Sequence, residues 1–189
     1  MSGNQSGKQI DSKPEVSWFK TFCFEWLEAG IQAIIVVVFL MNFVFRTVNI
    51  SGESMLNTLH DNDKVIISKW KYTPKNGDVV VIKKGKKLDC PIIKRIIALG
   101  GQKLEINFTN GTVKVDGKQL NENYIKERMW LRGDSEIPEV IPEGYCFVMG
   151  DNRNNSTDSR FEEVGLIPYE YIVGKASLII FPFERFGTV

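Results

Sequence analysis

The stretch Ile92-Ile93-Lys94-Arg95-Ile96-Ile97-Ala98-Leu99 decides the fold class of this 189-residue chain. Four of its eight residues are isoleucine, and β-branched side chains fit the pleated surface of a sheet. Eight residues is a usual length for a buried strand but is short for a buried helix. We therefore predict a strand that carries two charged residues near its centre.

Runs of the same character lie on both sides of this stretch, each rich in Val, Ile or aromatic residues. They cover residues 44–50, 64–68, 78–82, 112–115, 145–149 and 172–180. Turn-forming pairs such as Asn110-Gly111 and Asp116-Gly117 separate them, and the second pair is typical of a tight hairpin. Since few helical stretches compete, we predict that the part of the chain after Arg46 is mainly β.

The composition excludes several classes of protein. With 43% hydrophobic and 25% charged residues, the chain has the balance of a folded protein, and a net charge of +1 gives no electrostatic footprint for nucleic acid. Its three cysteines, Cys23, Cys90 and Cys146, have no metal-ligand spacing. A bridge between Cys90 and Cys146 and two free thiols are both compatible with the sequence.

An apolar segment precedes the strands. Residues 29–45 contain no charge and are bounded by Glu28 and Arg46, which is near the lower limit of roughly 17–25 residues for a membrane-spanning helix. Only Gln32 and Asn42 interrupt the run, so it lacks the polar face of a helix that packs on a soluble core. Because no small-residue cleavage site follows it, we interpret it as an uncleaved anchor.

Four segments result from this reading. We predict a disordered tail over residues 1–25, a transmembrane anchor over 26–45 and a β-rich domain over 46–189, with an insertion at 101–142. Lysine and arginine are equally frequent on the two flanks of the anchor, so the positive-inside rule does not set its orientation.

A serine follows the anchor closely, in the stretch Ser51-Gly52-Glu53-Ser54-Met55. Ser54 lies eight residues beyond Arg46, and an extended chain of that length reaches roughly 30 Å from the end of the span. A serine becomes a nucleophile only when a base takes its proton. The one histidine, His60, lies in a turn-forming sequence six residues away, so we expect a different base.

Lys94 is the leading candidate for that base. In a strand it shares a face with Ile92, Ile96 and Ala98, and burial among apolar groups lowers the pKa of an amine. Arg95 is unsuitable because guanidinium stays charged in proteins. The alternative is that both charges protect an edge strand from aggregation.

A third stretch, Gly150-Asp151-Asn152-Arg153-Asn154-Asn155-Ser156-Thr157-Asp158-Ser159-Arg160, follows an apolar strand. By itself it is compatible with a solvent-facing loop held by an ion pair between Asp158 and Arg160. Together with Gly52, Ser54, Met55, Thr58 and Leu59 and with Lys94, Arg95, Ile96 and Gly101, however, it resembles the bacterial type I signal peptidases. The resemblance extends over residues 27–180, in the order and spacing of that family.

The resemblance implies a function and a set of site residues. It implies an antiparallel-sheet catalytic domain with one N-terminal transmembrane helix, which uses Ser54 as nucleophile and Lys94 as general base, without metal or organic cofactor, to cut signal peptides from exported preproteins. Ser156 is expected to hydrogen-bond the lysine amine, and Asp158 and Arg160 to pair. The residues expected to line shallow pockets for small substrate residues are Ile50, Met55, Leu59 and Ile93.

The family also implies a location. The short tail is expected inside the cell and the catalytic domain on the extracytoplasmic side of the plasma membrane, with the lipid bilayer and signal peptides as partners and no nucleic acid. Four residues depart from the usual pattern: Asn57 replaces proline, and Ala98, Gly100 and Gln102 replace Gly, Pro and Asp. Gly52 offers no hydroxyl to an oxyanion, so backbone N–H groups, including that of Ser54, are expected to serve.

Two other functions share parts of this pattern. A non-catalytic relative that acts as a membrane-anchored assembly factor or chaperone is expected to lack the serine or the lysine, yet this chain contains both. A self-cleaving Ser-Lys regulator is expected to carry a DNA-binding domain in place of the anchor, and the segment before residue 29 is too short and too acidic for one.

Overall fold

The computed structural model describes residues 18–43, 45–68, 72–83 and 90–189. The chain divides between Leu40 and Met41 into two compact units. The first contains most of helix α1, Trp18–Phe43, and the second contains the end of that helix and the strands. Most of the expected tail, residues 1–17, lies outside the described residues.

Helix α1 is 26 residues long and begins eight residues before the predicted span. Its segment Trp18–Phe39 is long and apolar enough to cross a membrane, and its large apolar side chains are exposed. A helix from a soluble core buries such side chains. The structure of this unit is therefore compatible with an anchor.

The second unit is built from eleven described strands, most of them short. In chain order they are β1 Phe45–Asn49, β2 Lys64–Ser68, β3 Val79–Ile82, β4 Ile92–Leu99, β5 Leu104–Asn107, β6 Thr112–Val115, β7 Lys118–Gln119, β8 Tyr145–Met149, β9 Ile167–Pro168, β10 Ile172–Phe181 and β11 Gly187–Thr188.

These strands form two antiparallel sheets. The larger has the order β1-β2-β10-β3-β4-β8-β9, with β11 paired to β10, and the smaller has the order β5-β6-β7. The prediction of a mainly β, antiparallel fold is confirmed. The smaller sheet falls within residues 101–142, where the insertion is predicted.

Strand β4 lies inside the large sheet, between β3 and β8. The alternative that Lys94 and Arg95 guard an edge strand is therefore wrong. Arg95 is opposite Val79 on one side and Met149 on the other. Edge strands tolerate exposed charges, whereas charges on a central strand must find buried partners.

Strand β3 shows how the sheet forms its core. All four of its residues are buried, and successive side chains of a strand point to opposite faces. Val79 and Val81 join one apolar cluster with Ile50, and Val80 and Ile82 join another on the other side. The sheet thus has an apolar layer on both faces, and β4 is placed beside β3 within it.

Candidate active site

Ser54 lies in the loop that connects β1 to β2, and several hydrogen bonds fix this loop. The ends of the loop are joined by Ile50 N to Asp63 O at 2.8 Å and by Asn62 N to Ile50 O at 2.9 Å. Gly52 has a φ of +92°, a conformation that glycine adopts readily and other residues rarely do. Its N–H donates to Asp61 Oδ1 at 2.8 Å. The serine is therefore held on a closed turn.

Lys94 contacts this serine from strand β4. Its Nζ lies 2.8 Å from Ser54 Oγ and 3.0 Å from the carbonyl oxygen of Ile93. The residue is only 4% exposed. Burial lowers the pKa of the Lys94 amine from 10.5 to about 8, although the charges of Asp158 and Asp151 act in the opposite direction. An amine of this kind is partly neutral near physiological pH and is able to accept a proton.

The loop 150–160 completes the arrangement around an ion pair. Arg160 Nη2 and Asp158 Oδ2 are 2.8 Å apart, and both side chains are fully buried. Asp158 also accepts from Gly150 N at 2.9 Å, and Arg160 donates to the carbonyl oxygen of Arg153 at 2.7 Å. The pair thus ties both ends of the loop to its middle.

Ser156 differs from the expectation. Its hydroxyl is buried and, among the residues that the structure describes, has no hydrogen-bond partner. The two hydrogen bonds of Lys94 Nζ go to Ser54 and Ile93 instead. Ser156 packs against Gly150, so close that a Cβ on Gly150 would collide with its oxygen. The expected hydrogen bond from Ser156 to the lysine amine is therefore not made.

A second buried ion pair supports the site, and sequence reasoning missed it. Arg95 donates to both oxygens of Asp151, at 2.8 and 2.7 Å, and to Thr58 Oγ1 at 3.1 Å. Thr58 in turn donates to Asp151 through a short hydrogen bond. The sequence feature that could have revealed this pair is an arginine among isoleucines on a buried strand, because a buried guanidinium group requires a carboxylate partner.

The residue after Asp151 contacts the Ser54 loop directly. Asn152 N donates to the carbonyl oxygen of Ser54 at 3.0 Å, and Asn152 Nδ2 donates to that of Glu53 at 3.1 Å. Two main-chain carbonyl groups at Ser54 are thereby fixed. In a trans peptide the N–H points opposite to the C=O, so the N–H groups of Ser54 and Met55, which belong to these two peptide units, point away from Asn152.

An apolar cavity of about 380 Å³ opens beside Ser54 and Lys94. Ile50 and Ile93 line it. Met55 and Leu59 are fully buried in the apolar cluster that contains Ile50, so they support the cavity rather than line it. Its volume is near the lower end of the roughly 300–1,000 Å³ that is typical of ligand pockets.

The sequence also drew attention to the single histidine and to the cysteines. His60 Nε2 is 3.2 Å from Arg185 Nη1. Cys90 is exposed at the rim of the cavity and Cys146 is buried, and both are unpaired. Within the described part of the chain, no group of three His, Cys, Asp or Glu residues is arranged to hold a metal ion.

Gly150 is expected to tolerate no side chain, because a Cβ there would meet Ser156 Oγ and lie 2.5 Å from the carbonyl oxygen of Ser54. We expect Gly150→Ala to push the two loops apart, to lower the reactivity of Ser54 by about 10² and to destabilise the fold by about 1–3 kcal/mol. Labelling with an acylating serine reagent and thermal unfolding measure the two effects. The control is Gly187→Ala, whose Cβ would have an ordinary 3.9 Å contact. Equal behaviour of the two variants would contradict the close approach.

Comparison with known proteins identifies relatives of this chain. A family model described as signal peptidase, peptidase S26, matches residues 23–181. The chain is 36% identical over 176 residues to signal peptidase I P of Bacillus subtilis subsp. natto, which covers 88% of this chain and 93% of that protein. It is 39% identical over 168 residues to probable signal peptidase I-1 of Synechocystis sp., which covers 83% and 82%.

A solved structure is also similar. It is a crystal structure of a signal peptidase I from Enterococcus faecalis, with 23% identity and a TM-score of 0.45, and the match covers 56% of this chain and 98% of that chain.

Proposed function

This chain belongs to the signal peptidase family, peptidase S26, its function is the removal of signal peptides, and we propose that it does so with Ser54 as nucleophile and Lys94 as general base. The observation that carries the proposal is the 2.8 Å contact between Lys94 Nζ and Ser54 Oγ. Burial of the lysine supports it, since only a neutral amine is able to take the proton.

The reaction follows from this contact. Lys94 Nζ takes the proton of Ser54 as its oxygen bonds to the scissile carbonyl carbon, and the protonated amine then gives the proton to the leaving nitrogen as the C–N bond breaks. Lys94 next takes a proton from water as the water oxygen bonds to the acyl carbon. It gives that proton to Ser54 Oγ as the ester bond breaks, which releases the acid product and restores the serine hydroxyl and the neutral amine. The balance is one water consumed for each peptide bond cut, and the chemistry requires no metal or organic cofactor.

The developing oxyanion requires hydrogen-bond donors. Gly52 supplies no side chain, so we assign this role to backbone N–H groups, including that of Ser54. The hydrogen bonds from Asn152 to the Ser54 and Glu53 carbonyl oxygens support this assignment, because they fix the peptide planes on that side of the nucleophile. Donors that are fixed in advance stabilise charge without reorganisation during the reaction.

The substrate preference follows from the cavity. Ile50 and Ile93 line a space of about 380 Å³ next to the nucleophile, and we assign to it the small apolar residues that precede the cut. Met55 and Leu59 do not line the cavity but pack in the same buried cluster as Ile50, and so they stabilise its wall.

We place helix α1 across the plasma membrane, with the short tail inside and residues 46–189 on the extracytoplasmic side. The helix supports the membrane location by its length and composition, and the side follows from the substrates, which are cut as they leave the cell.

Protease added to cells without a wall should digest the catalytic unit and leave a cytoplasmic marker intact. If the catalytic unit were protected from the protease, the orientation would be opposite to the one proposed.

The proposal is tested by labelling with an acylating serine reagent at different pH values. The pKa of Lys94 is lowered to about 8, so the neutral fraction of the amine rises from about one tenth at pH 7 to about nine tenths at pH 9. We expect the rate of labelling at Ser54 to rise about tenfold over this interval, as measured by mass spectrometry. A rate that is flat with pH, or a label at another residue, would contradict the assignment.

The labelling also discriminates against the non-catalytic alternative. An assembly factor or chaperone binds its partners without an activated serine, so it would take no label. That alternative is not favoured, because the relatives that match most of the chain are signal peptidases and because Ser54 and Lys94 are in contact.

A further inference from the structure

The segment 122–135, which leads out of the small sheet, lies across the catalytic loop 150–160. Asn154 Oδ1 accepts hydrogen bonds from Trp130 N at 2.9 Å and Leu131 N at 3.2 Å. Arg160 Nη1 donates to the carbonyl oxygen of Leu131 at 2.7 Å. Since these contacts join residues more than twenty positions apart, the segment is part of the framework of the site.

Tyr124 is the residue of this segment that contacts the charged groups beneath the site. The centre of its ring lies 4.1 Å from Arg95 Cζ and 6.0 Å from Arg153 Cζ. Guanidinium groups are attracted to the face of an aromatic ring within about 6 Å, and more strongly where water is excluded. The Tyr124 hydroxyl donates to Glu122 Oε1 at 3.2 Å, so ring and hydroxyl have different partners.

Arg95 connects this ring to the reacting atoms by two routes. It is the neighbour of Lys94 in β4, so the position of its side chain affects the same segment of main chain. It also holds Asp151 through two hydrogen bonds, and the next residue, Asn152, holds the carbonyl oxygen of Ser54. A shift of Arg95 would therefore reach both the base and the nucleophile.

We propose that Tyr124 is a positioning residue for the peptidase reaction, whose ring holds Arg95 over Asp151 and thereby keeps Lys94 and Ser54 at reacting distance. This inference rests on the proposed roles of Ser54 and Lys94. The ring is suited to the task because its centre lies 4.1 Å from Arg95 Cζ, while the guanidinium nitrogens donate to Asp151, Gly77 and Thr58.

The test compares Tyr124→Leu with Tyr124→Phe in the full-length protein in detergent, with a fluorogenic preprotein peptide as substrate. We expect Tyr124→Leu to lower kcat about tenfold with KM within about twofold, because a small displacement of reacting groups has a large effect on rate. Tyr124→Phe should retain kcat within about twofold, since it keeps the ring. Phe186→Leu is the control, because it removes an exposed aromatic ring that lies outside this segment.

Active-site titration with the serine reagent separates positioning from misfolding. We expect Tyr124→Leu to retain the full number of reactive sites and to react more slowly at each. Three results would overturn the proposal: wild-type kcat in Tyr124→Leu, equal losses in the Leu and Phe variants, or a loss explained by fewer titratable sites. Ser54→Ala, measured alongside, tests the proposed function separately, because an active Ser54→Ala would reject the nucleophile whatever Tyr124 does.

Discussion

Ser54→Ala is expected to abolish cleavage of a synthetic preprotein, with a loss of at least about 10⁴ in kcat. The reason is that Ser54 Oγ is the atom in contact with Lys94 Nζ, and alanine leaves no oxygen to bond to the scissile carbon. The remaining groups bind the peptide and stabilise charge, but they supply no nucleophile except water. Time courses followed by mass spectrometry measure the loss.

The control for this variant is Ser135→Ala. Ser135 donates its backbone N–H to the carbonyl oxygen of Arg160 at 2.9 Å, a contact that alanine keeps, and its side chain lies away from the Ser54 cavity. We expect unchanged activity in this control. If Ser54→Ala cut the preprotein as fast as Ser135→Ala, the serine mechanism would be wrong.

Lys94→Met is expected to lower kcat by about 10²–10⁴, the range over which a general base contributes. Methionine has a similar length and is compatible with a buried strand position, but it accepts no proton. The residual activity should lose the rise with pH, because the group that titrates near pH 8 is gone. Lys114→Met, the same change at an exposed strand residue, should leave both the rate and its pH dependence unchanged.

The same substitution should make the protein more stable at neutral pH. The pKa of Lys94 is lowered from 10.5 to about 8 by burial, so between these pH values the unfolded chain binds more protons and the free energy of unfolding rises with pH. Below pH 8 the full cost of burying the charged amine applies, on the order of 3 kcal/mol. Lys94→Met removes this cost.

We therefore expect Tm to rise by a few degrees at pH 7 for Lys94→Met and the difference from wild type to shrink above pH 10. Calorimetry in detergent at pH 7 and pH 10 measures it. A variant that is inactive and also less stable at pH 7 would indicate that the lysine serves the fold rather than the reaction.

Strand β4 shows what the sequence makes predictable. Its bounds, Ile92–Leu99, follow from an apolar run that begins after a proline and ends at a glycine pair. Strand β9, Ile167–Pro168, is not predictable in this way. It has two residues, one of them proline, and exists because it pairs with Tyr145 and Cys146, which a local pattern does not reveal.

Helix α1 starts earlier than the predicted membrane span for a related reason. A charge-free run measures the apolar part of a helix, whereas backbone hydrogen bonds continue through polar residues such as Lys20 and Glu25. The helix therefore extends back to Trp18. A span estimated from hydrophobicity alone gives the membrane-embedded part and not the helix ends.

In the candidate site, the residue types were predictable and their contacts were not. The motif predicts Ser54, Lys94 and Ser156, but it does not give the direction of the Ser156 hydroxyl, which depends on the close packing against Gly150. Nor does it connect Arg95 to Asp151, which are 56 positions apart. Such pairings are decided by the tertiary structure.

Residues that are far apart along the chain meet at Ser54, and this has a consequence for biosynthesis. Lys94 lies 40 positions from the serine, and Asn152 lies 99 positions from the Glu53 carbonyl group that it holds. Contacts of such high sequence separation form late in folding. A chain that is still emerging from the ribosome therefore lacks the contact between Lys94 and Ser54 and the hydrogen bond from Asn152 to Glu53. We expect peptidase activity only after nearly the whole of this sequence has been made and folded.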